Sequence, residues 1–391
     1  MNDNNAYQAM SQIGWPERRT QIPQVRIELN SKCGKACFYC RPSGEGVPIS
    51  KLKKATQRPM HEMSIDELIW VAELLARHGI CDYKLTGGEP MLCADIVEVV
   101  RRLRRVPGVR SLHLVTRHDR AGDLAQDLRD AGLDLLNFSL DSLDAGIWSR
   151  ITRVDGHERL IQAVRTAART DIPIKLSTVV LKGVNEHEIP SLVEFAGEVH
   201  AELKLLDLIN DIGAFPGFGR DFIDTNYVDL LPVADQLAKS AVTREVVTQP
   251  GGLGHPMLRF QMPNGATVTI KSGRLGAYYG HICAVCPLFP CWDALMALRV
   301  TPTGLLQYCL LRDDNLVDLL GLREQPSDGR ADEVVEEVIR VYRAAIPFTA
   351  DALVRMRLNV EEQSTARWQL QSTAGAPFRG HASQGTSAAT D

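Results

Sequence analysis

The chain has 391 residues, 45% of them hydrophobic and 24% charged, with 30 Gly and 20 Pro. This ordinary globular composition excludes a disordered, collagen-like or coiled-coil chain. Lys+Arg 44 against Asp+Glu 48 leaves a net charge of −4, too balanced for a dedicated polyanion-coating protein but compatible with a local basic pocket. No apolar run approaches the roughly 18 residues of a membrane-spanning helix, and the first residues, Met1 to Trp15, lack the basic and apolar regions of a signal peptide. The expectation is a soluble, cytoplasmic protein with no membrane partner and no nucleic-acid polymer partner.

After an N-terminal extension, 1–22, the pattern from Val25 to Leu208 alternates short β-branched runs with amphipathic stretches. Strands are predicted over 24–29, 81–85, 110–116, 133–139, 172–180 and 202–208. Helices are predicted over 64–78, 95–105, 121–131, 157–169 and 186–199, the first opened by the capping box Ser64-Ile65-Asp66-Glu67. Six β/α units in sequence imply parallel strands joined by right-handed crossovers. Six fall short of the eight of a closed barrel. The predicted class is therefore α/β, a partial (β/α)6 TIM-like barrel over 23–210, followed by a second, C-terminal region.

Residues 211–322 form that second region, with a Gly/Phe-rich loop, a helix near 230–240 and a hairpin at Pro263-Asn264-Gly265. C-terminal helices are expected over 323–371, including one over 331–345, where Val334, Val335, Val338, Ile339 and Tyr342 recur at helical spacing. Residues 372–391 are small and polar and are expected to be disordered.

Nine cysteines is an odd number without an export signal, which argues against a disulfide framework. Cys33, Cys37 and Cys40 form one cluster directly after the first predicted strand; Cys283, Cys286, Cys291 and Cys309 form another. Three thiolates on a short loop can hold three irons of a cubane and leave the fourth open to a small chelating ligand. A structural zinc usually takes four protein ligands, and neither His61 nor His78 has zinc spacing. Unpaired structural cysteines are the bland alternative. The four later cysteines could ligate a second cubane fully, hold one through three ligands, or bind zinc. Cys81 and Cys93 read as small buried hydrophobes.

The spacing Cys33-x3-Cys37-x2-Cys40, with Phe38-Tyr39 before the last Cys, together with Leu85-Thr86-Gly87-Gly88-Glu89-Pro90 after the second strand, resembles the radical S-adenosylmethionine (SAM) superfamily. That resemblance implies a [4Fe-4S] cluster whose open iron binds SAM, one-electron cleavage of SAM to a 5′-deoxyadenosyl radical, and hydrogen abstraction from a substrate. It also implies an outside reductant of the flavodoxin or ferredoxin type. Gly87, Gly88 and Glu89 would bind the SAM amino group, glycine being required because a Cβ would block close approach.

Asn137-Phe138-Ser139-Leu140-Asp141-Ser142, Lys175 to Glu188, and Leu298 to Gly304 leading to Cys309 resemble the GTP 3′,8-cyclase (MoaA) family of molybdenum-cofactor synthesis. Carried over by position, Tyr39, Gly88 and Ser139 match SAM contacts. Arg26, Thr116, Lys175 and Arg299 match substrate contacts, and Lys84 stands where the family has Arg, keeping charge without the bidentate fork. There are three departures. Ala297 replaces a family Arg, and the chain ends Ala388-Ala389-Thr390-Asp391 rather than in Gly-Gly. The family's C-x2-C-x13-C spacing becomes 22 residues between Cys286 and Cys309, with Cys291 extra. Cys291-x12-Gly304-x4-Cys309 resembles SPASM/twitch auxiliary-cluster regions, which implies a second [4Fe-4S] cluster. The sequence reading is a MoaA-like radical SAM enzyme acting on a small anionic molecule such as a nucleotide or sugar derivative. GTP cyclisation, a peptide-modifying maturase and a non-enzymatic metal protein stand as alternatives.

Overall fold

The computed structural model describes residues 23–40, 58–209, 220–247, 256–284, 286, 289, 291, 293–312, 316–324 and 329–348. The extension 1–22, the Gly/Phe-rich stretch 210–219 and the expected tail 372–391 lie outside them.

The six predicted strands form as β1 (Val25–Glu28), β2 (Asp82–Thr86), β3 (Ser111–Thr116), β4 (Leu135–Ser139), β5 (Ile174–Val179) and β6 (Glu202–Leu206), pairing in chain order and all parallel. The helix Ile65–Arg77 starts at the expected capping box: Ser64 accepts from the Glu67 backbone and the Glu67 carboxylate accepts from the Ser64 backbone. Its Leu68, Val71, Ala72, Leu74, Leu75 and Ala76 are buried against the sheet. The stretch predicted as one helix over 121–131 is two, Arg120–Asp123 and Ala125–Asp130, separated at Leu124. Gly122, a weak helix former, sits where a Cβ would come within 2.6 Å of the Ala163 Cα on helix His157–Ala167, so the close crossing of the two helices fixes the break. Among the helices that were not predicted is Ala145–Thr152. It is capped by Asp144, which accepts from Ile147 N at 2.8 Å, and it ends at Arg153 in the left-handed region.

Strands from the C-terminal part then join both flanks of the same sheet. β7 (Thr243–Val247), β8 (Met257–Gln261) and β9 (Thr267–Lys271) form an antiparallel meander whose β9 pairs parallel with β6. The expected Asn264-Gly265 turn joins β8 to β9, with Gly265 at φ 87°. After the short β10 (Ala277–Tyr279), β11 (Leu298–Val300) pairs parallel with β1. It continues through β12 (Leu305–Gln307) and β13 (Val317–Asp318). The sheet order is β13-β12-β11-β1-β2-β3-β4-β5-β6-β9-β8-β7, an unclosed curve in which eight neighbouring strands, the six plus β11 and β9, run parallel. β10 pairs separately with β14 (Ile346–Phe348). The core packs helices against the outside of this curve, with Val25, Ile27, Leu85, Leu114, Leu136, Leu176 and Leu203 fully buried. Among the described residues, no helix is long and apolar enough to cross a membrane.

Candidate active site

The cysteine loop leaves β1 at the C-terminal end of the sheet, where barrel chemistry is placed. Its backbone is held from two sides. Gly88 N donates to Asn30 O at 2.8 Å and Glu89 N to Lys32 O at 2.7 Å. On the other side, Ala36 N and Phe38 N donate to Thr152 O and Ile151 O, each at 3.0 Å. A Cβ on Gly88 would lie 2.2 Å from Lys32 O, and one on Gly87, at φ 142°, 2.7 Å from Asn30 O. The two glycines are therefore required first by the chain that carries the cysteines, whose backbone they touch. Cys33 and Cys37 are half-buried, Cys40 is exposed, and none of the three is in a disulfide.

Behind the loop lies a closed polar network. The buried Glu89 carboxylate accepts from Met91 N at 3.1 Å, Arg117 N at 2.9 Å and the Thr116 hydroxyl. Tyr39 donates its hydroxyl to Asp141 Oδ2 at 2.6 Å, and Arg117 Nη2 reaches the Tyr39 oxygen and Asp141 Oδ2, each at 2.7 Å. Arg117 Nη1 donates to Cys37 Sγ at 3.4 Å. Burial pushes the Cys37 thiol up, with Arg117 pulling the other way.

Inside the curve of strands is a cavity of about 330 Å3. Its lining runs from Tyr39, Cys40 and Ser139 at the cysteine-loop end to Asp293, Leu310 and Leu311 at the other. Six cations line it: Arg26, Lys84, Lys175, Lys204, Lys271 and Arg299. Sheet register explains the concentration. Arg299, Arg26, Lys84 and His113 are successive partners across β11, β1, β2 and β3, and Asn137, Lys175 and Glu202 are partners across β4, β5 and β6. With a period of two along each strand, residues in register share the inner face.

The electrostatic consequence is mutual suppression. Lys204, only 6% exposed, is held well below the usual lysine range by burial and by repulsion from Lys84, Lys175 and Lys271. Burial also lowers Lys271, with Asp293 and Asp207 opposing. His113 falls to about 4 through burial and the charges of Lys84 and Lys175. Lys175 pairs with Glu202 at 2.9 Å. Burial would raise that carboxyl, but the lysine and the Thr269 hydroxyl outweigh it and hold it low. Asp207, accepting from Ser272 Oγ and Gly273 N at 2.8 Å each, is pushed up to about 6 by burial.

Of the residues picked from sequence, the structure brings Arg26, Lys84, Lys175, Arg299, Tyr39, Cys40 and Ser139 to this one cavity. Thr116 is 2% exposed and is not among the lining residues; its hydroxyl is spent on Glu89. Sequence reading missed Lys204, Lys271, His113, Asp207, Asp293 and the Arg117–Asp141 pair. Lys204 and Lys271 could have been found: in ELKLL and TVTIK polar and apolar residues alternate, the signature of a polar inner face.

The second cysteine group is built into the interior. Cys291 and Cys309 are buried and Cys283 and Cys286 half-buried, none of the four in a disulfide. Cys283 N donates to Gly280 O at 2.9 Å and Cys286 N to Cys283 O at 3.0 Å, a tight turn, while Cys291 Sγ accepts from Ala294 N at 3.2 Å. Cys309 lies just beyond β12, and burial pushes it up to about 12, Asp293 adding to the rise. A ligating thiolate there thus requires a metal's charge to remove its proton. Among the described residues, no three Cys, His, Asp or Glu side chains are gathered for a single ion. A cubane takes each thiolate on a different iron, and two sets of thiols outside disulfides fit iron–sulfur clusters.

Comparison with known proteins agrees. Residues 27–196 match the model of the radical SAM superfamily. A probable GTP 3′,8-cyclase of Pyrococcus abyssi is 32% identical over 82% of this chain and 96% of its own length; one of Pyrococcus horikoshii is 33% identical over 82% and 94%. One of Thermococcus kodakarensis is 31% identical over 83% and 94%. The chain belongs to the radical SAM superfamily and, within it, to the family of the GTP 3′,8-cyclases.

Proposed function

We propose that this enzyme acts on a small polyanionic molecule, a nucleotide or sugar phosphate, held in the cation-lined lumen. The observation that carries the reading is that one cavity, with six basic side chains against two lining carboxylates, Asp207 and Asp293, is lined at once by Cys40 and by Asp293, Leu310 and Leu311. Cys33, Cys37 and Cys40 would hold one [4Fe-4S] cluster, and Cys283, Cys286, Cys291 and Cys309 the second. When bound, the first cluster with SAM supplies one-electron reductive cleavage to a 5′-deoxyadenosyl radical, given an electron from a flavodoxin- or ferredoxin-type donor.

The chain's own residues bind, orient and shield. Lys84, Lys175 and Lys204 line the cavity from β2, β5 and β6, and Arg26 and Arg299 stand in register with Lys84. Buried cations of this kind grip phosphate far more strongly than surface ones, because little water competes. Bound polyanion would return Lys204 towards its protonated state, so binding is accompanied by proton uptake. The apolar wall of Leu135, Val115, Val179, Leu206 and Leu208 keeps water from the reacting carbon. Ser139, which lines the cavity with Tyr39 and Cys40, would contact SAM.

A second reading, GTP 3′,8-cyclisation itself, is favoured by similarity over most of the chain to proteins of that name. Ala297 and the altered cysteine spacing weigh against identity of substrate.

The test is anaerobic reconstitution of the wild type and a Cys33/Cys37/Cys40→Ala variant, measuring iron, zinc and 5′-deoxyadenosine with dithionite. About eight irons per chain, falling to about four with loss of SAM cleavage, is the expected result. Zinc in place of iron would overturn the reading. Substrates are then compared in matched charged and neutral pairs, GTP first, and turnover confined to neutral compounds would exclude a polyanion.

A further inference from the structure

Arg117 immediately follows β3, and its side chain is 10% exposed; its carboxylate partner Asp141 is 1% exposed. The guanidinium is fixed on three sides. Nη2 donates to Tyr39 Oη and Asp141 Oδ2, and Nη1 to Cys37 Sγ. Asp141 cannot swing away, because its Oδ1 accepts from Val179 N at 2.9 Å and its backbone oxygen from Asn185 Nδ2 at 2.6 Å. Tyr39 closes the triangle by donating to Asp141. A buried arginine with one rigid carboxylate thus turns one of its N–H groups onto a cysteine sulfur, and nothing in the substrate cavity explains it, since Arg117 is absent from the lining.

Donors to ligating sulfurs, and positive charge near them, withdraw electron density from an iron–sulfur cluster and favour its reduced, more negative state. We propose that Arg117 is a positioning residue for the first cluster: through its bond to Cys37 Sγ it orients that thiolate and raises the cluster's reduction potential, with Asp141 setting how much of its charge the sulfur feels. This rests on Cys33, Cys37 and Cys40 being the cluster ligands.

The experiment is a potentiometric titration of the full chain with both clusters loaded, followed by electron paramagnetic resonance. The first cluster is recognised as the signal that changes on adding SAM. Arg117→Met is expected to make reduction of that cluster about tenfold less favourable, about 59 mV lower for one electron, with the second signal unmoved. Asp141→Asn removes the opposing charge and is expected to shift the same cluster upwards. Arg117→Lys keeps the charge without the fork and should fall between Met and wild type. Shifts of the same sign in Arg117→Met and Asp141→Asn, no shift in Arg117→Met, or loss of first-cluster iron in both Arg117 variants would overturn the assignment. If wild-type protein forms no cluster at Cys33, Cys37 and Cys40, it is the cluster reading that fails.

Discussion

The two cysteine groups are built in opposite ways. The first sits on a rim loop with Cys40 exposed, and its backbone is stitched to Gly88, Glu89, Ile151 and Thr152. The second is folded into the interior, with Cys291 and Cys309 buried and Cys309 packed in the main core. A rim site can exchange ligands and electrons with what arrives from outside. An interior site gains rigidity and loses access. The cavity is lined by Cys40 of the first group and, towards the second, by Asp293, Leu310 and Leu311. The contrast teaches that similar thiol sets take different duties from their surroundings.

The sharpest way to break this contrast is at the glycine that carries the rim loop. Gly88→Ala would force a Cβ against Lys32 backbone, which cannot give as a flexible side chain would. We expect a loss of about 3 kcal/mol in thermal or chemical unfolding, together with lost SAM binding by calorimetry. Normal SAM binding would show that the loop adapts. At the interior site, Cys309→Ser places a hydroxyl at a buried position and should cost about 2 kcal/mol even in iron-free protein. Cys40→Ser on the rim should cost almost nothing in the same iron-free assay. Equal losses would erase the distinction between the two sites.

The cavity offers a third lever. Lys204→Met should weaken binding of inorganic triphosphate about tenfold, about 1.4 kcal/mol, by isothermal titration, while raising the stability of the free protein. The pH dependence fixes the sign. Lys204 has a folded pKa below its unfolded value, so the unfolded chain binds more protons between the two, and the free wild type should gain stability as pH rises towards about 10.4. Lys204→Met should remove part of that slope. An unchanged slope would mean the lysine is charged in the fold.

The smallest effect is a cancellation. His113, lowered to about 4, makes stability rise with pH between about 4 and 6.5, because the unfolded imidazole binds a proton that the folded one refuses. Asp207, raised to about 6, does the reverse: its contribution is present below about 3.9 and lost as pH climbs through 6. In denaturant titrations of the wild type these two contributions should therefore largely offset each other over this range. His113→Asn should expose a decline on the order of 1 kcal/mol between pH 4 and 6. A flat variant would place Asp207 outside the coupling.

The six β/α units, the capping box and the Asn264-Gly265 turn were legible because each is set by neighbours within a few residues: alternation, a reciprocal side-chain cap, a glycine at positive φ. The cysteine triplet and Gly87-Gly88 were legible as chemistry because so few residue types can do that work at that spacing. The reason for Gly88 was read differently, as room for a ligand, whereas the nearest obstacle is Lys32.

What only the tertiary structure decided is long-range. Pairing of β11 with β1 and of β9 with β6 joins residues hundreds of positions apart in one case and tens in the other, and no local pattern encodes it. That pairing sets Arg299 beside Arg26 and Lys271 beside Leu206, turning scattered charges into one lumen. Arg117 and Asp141 likewise read as ordinary charges until β3 and β4, lying side by side, bring them together behind Cys37. The sequence by itself determined which chemistry the chain can hold; where the charges converge depended on strand register, because register alone selects the face each side chain shares.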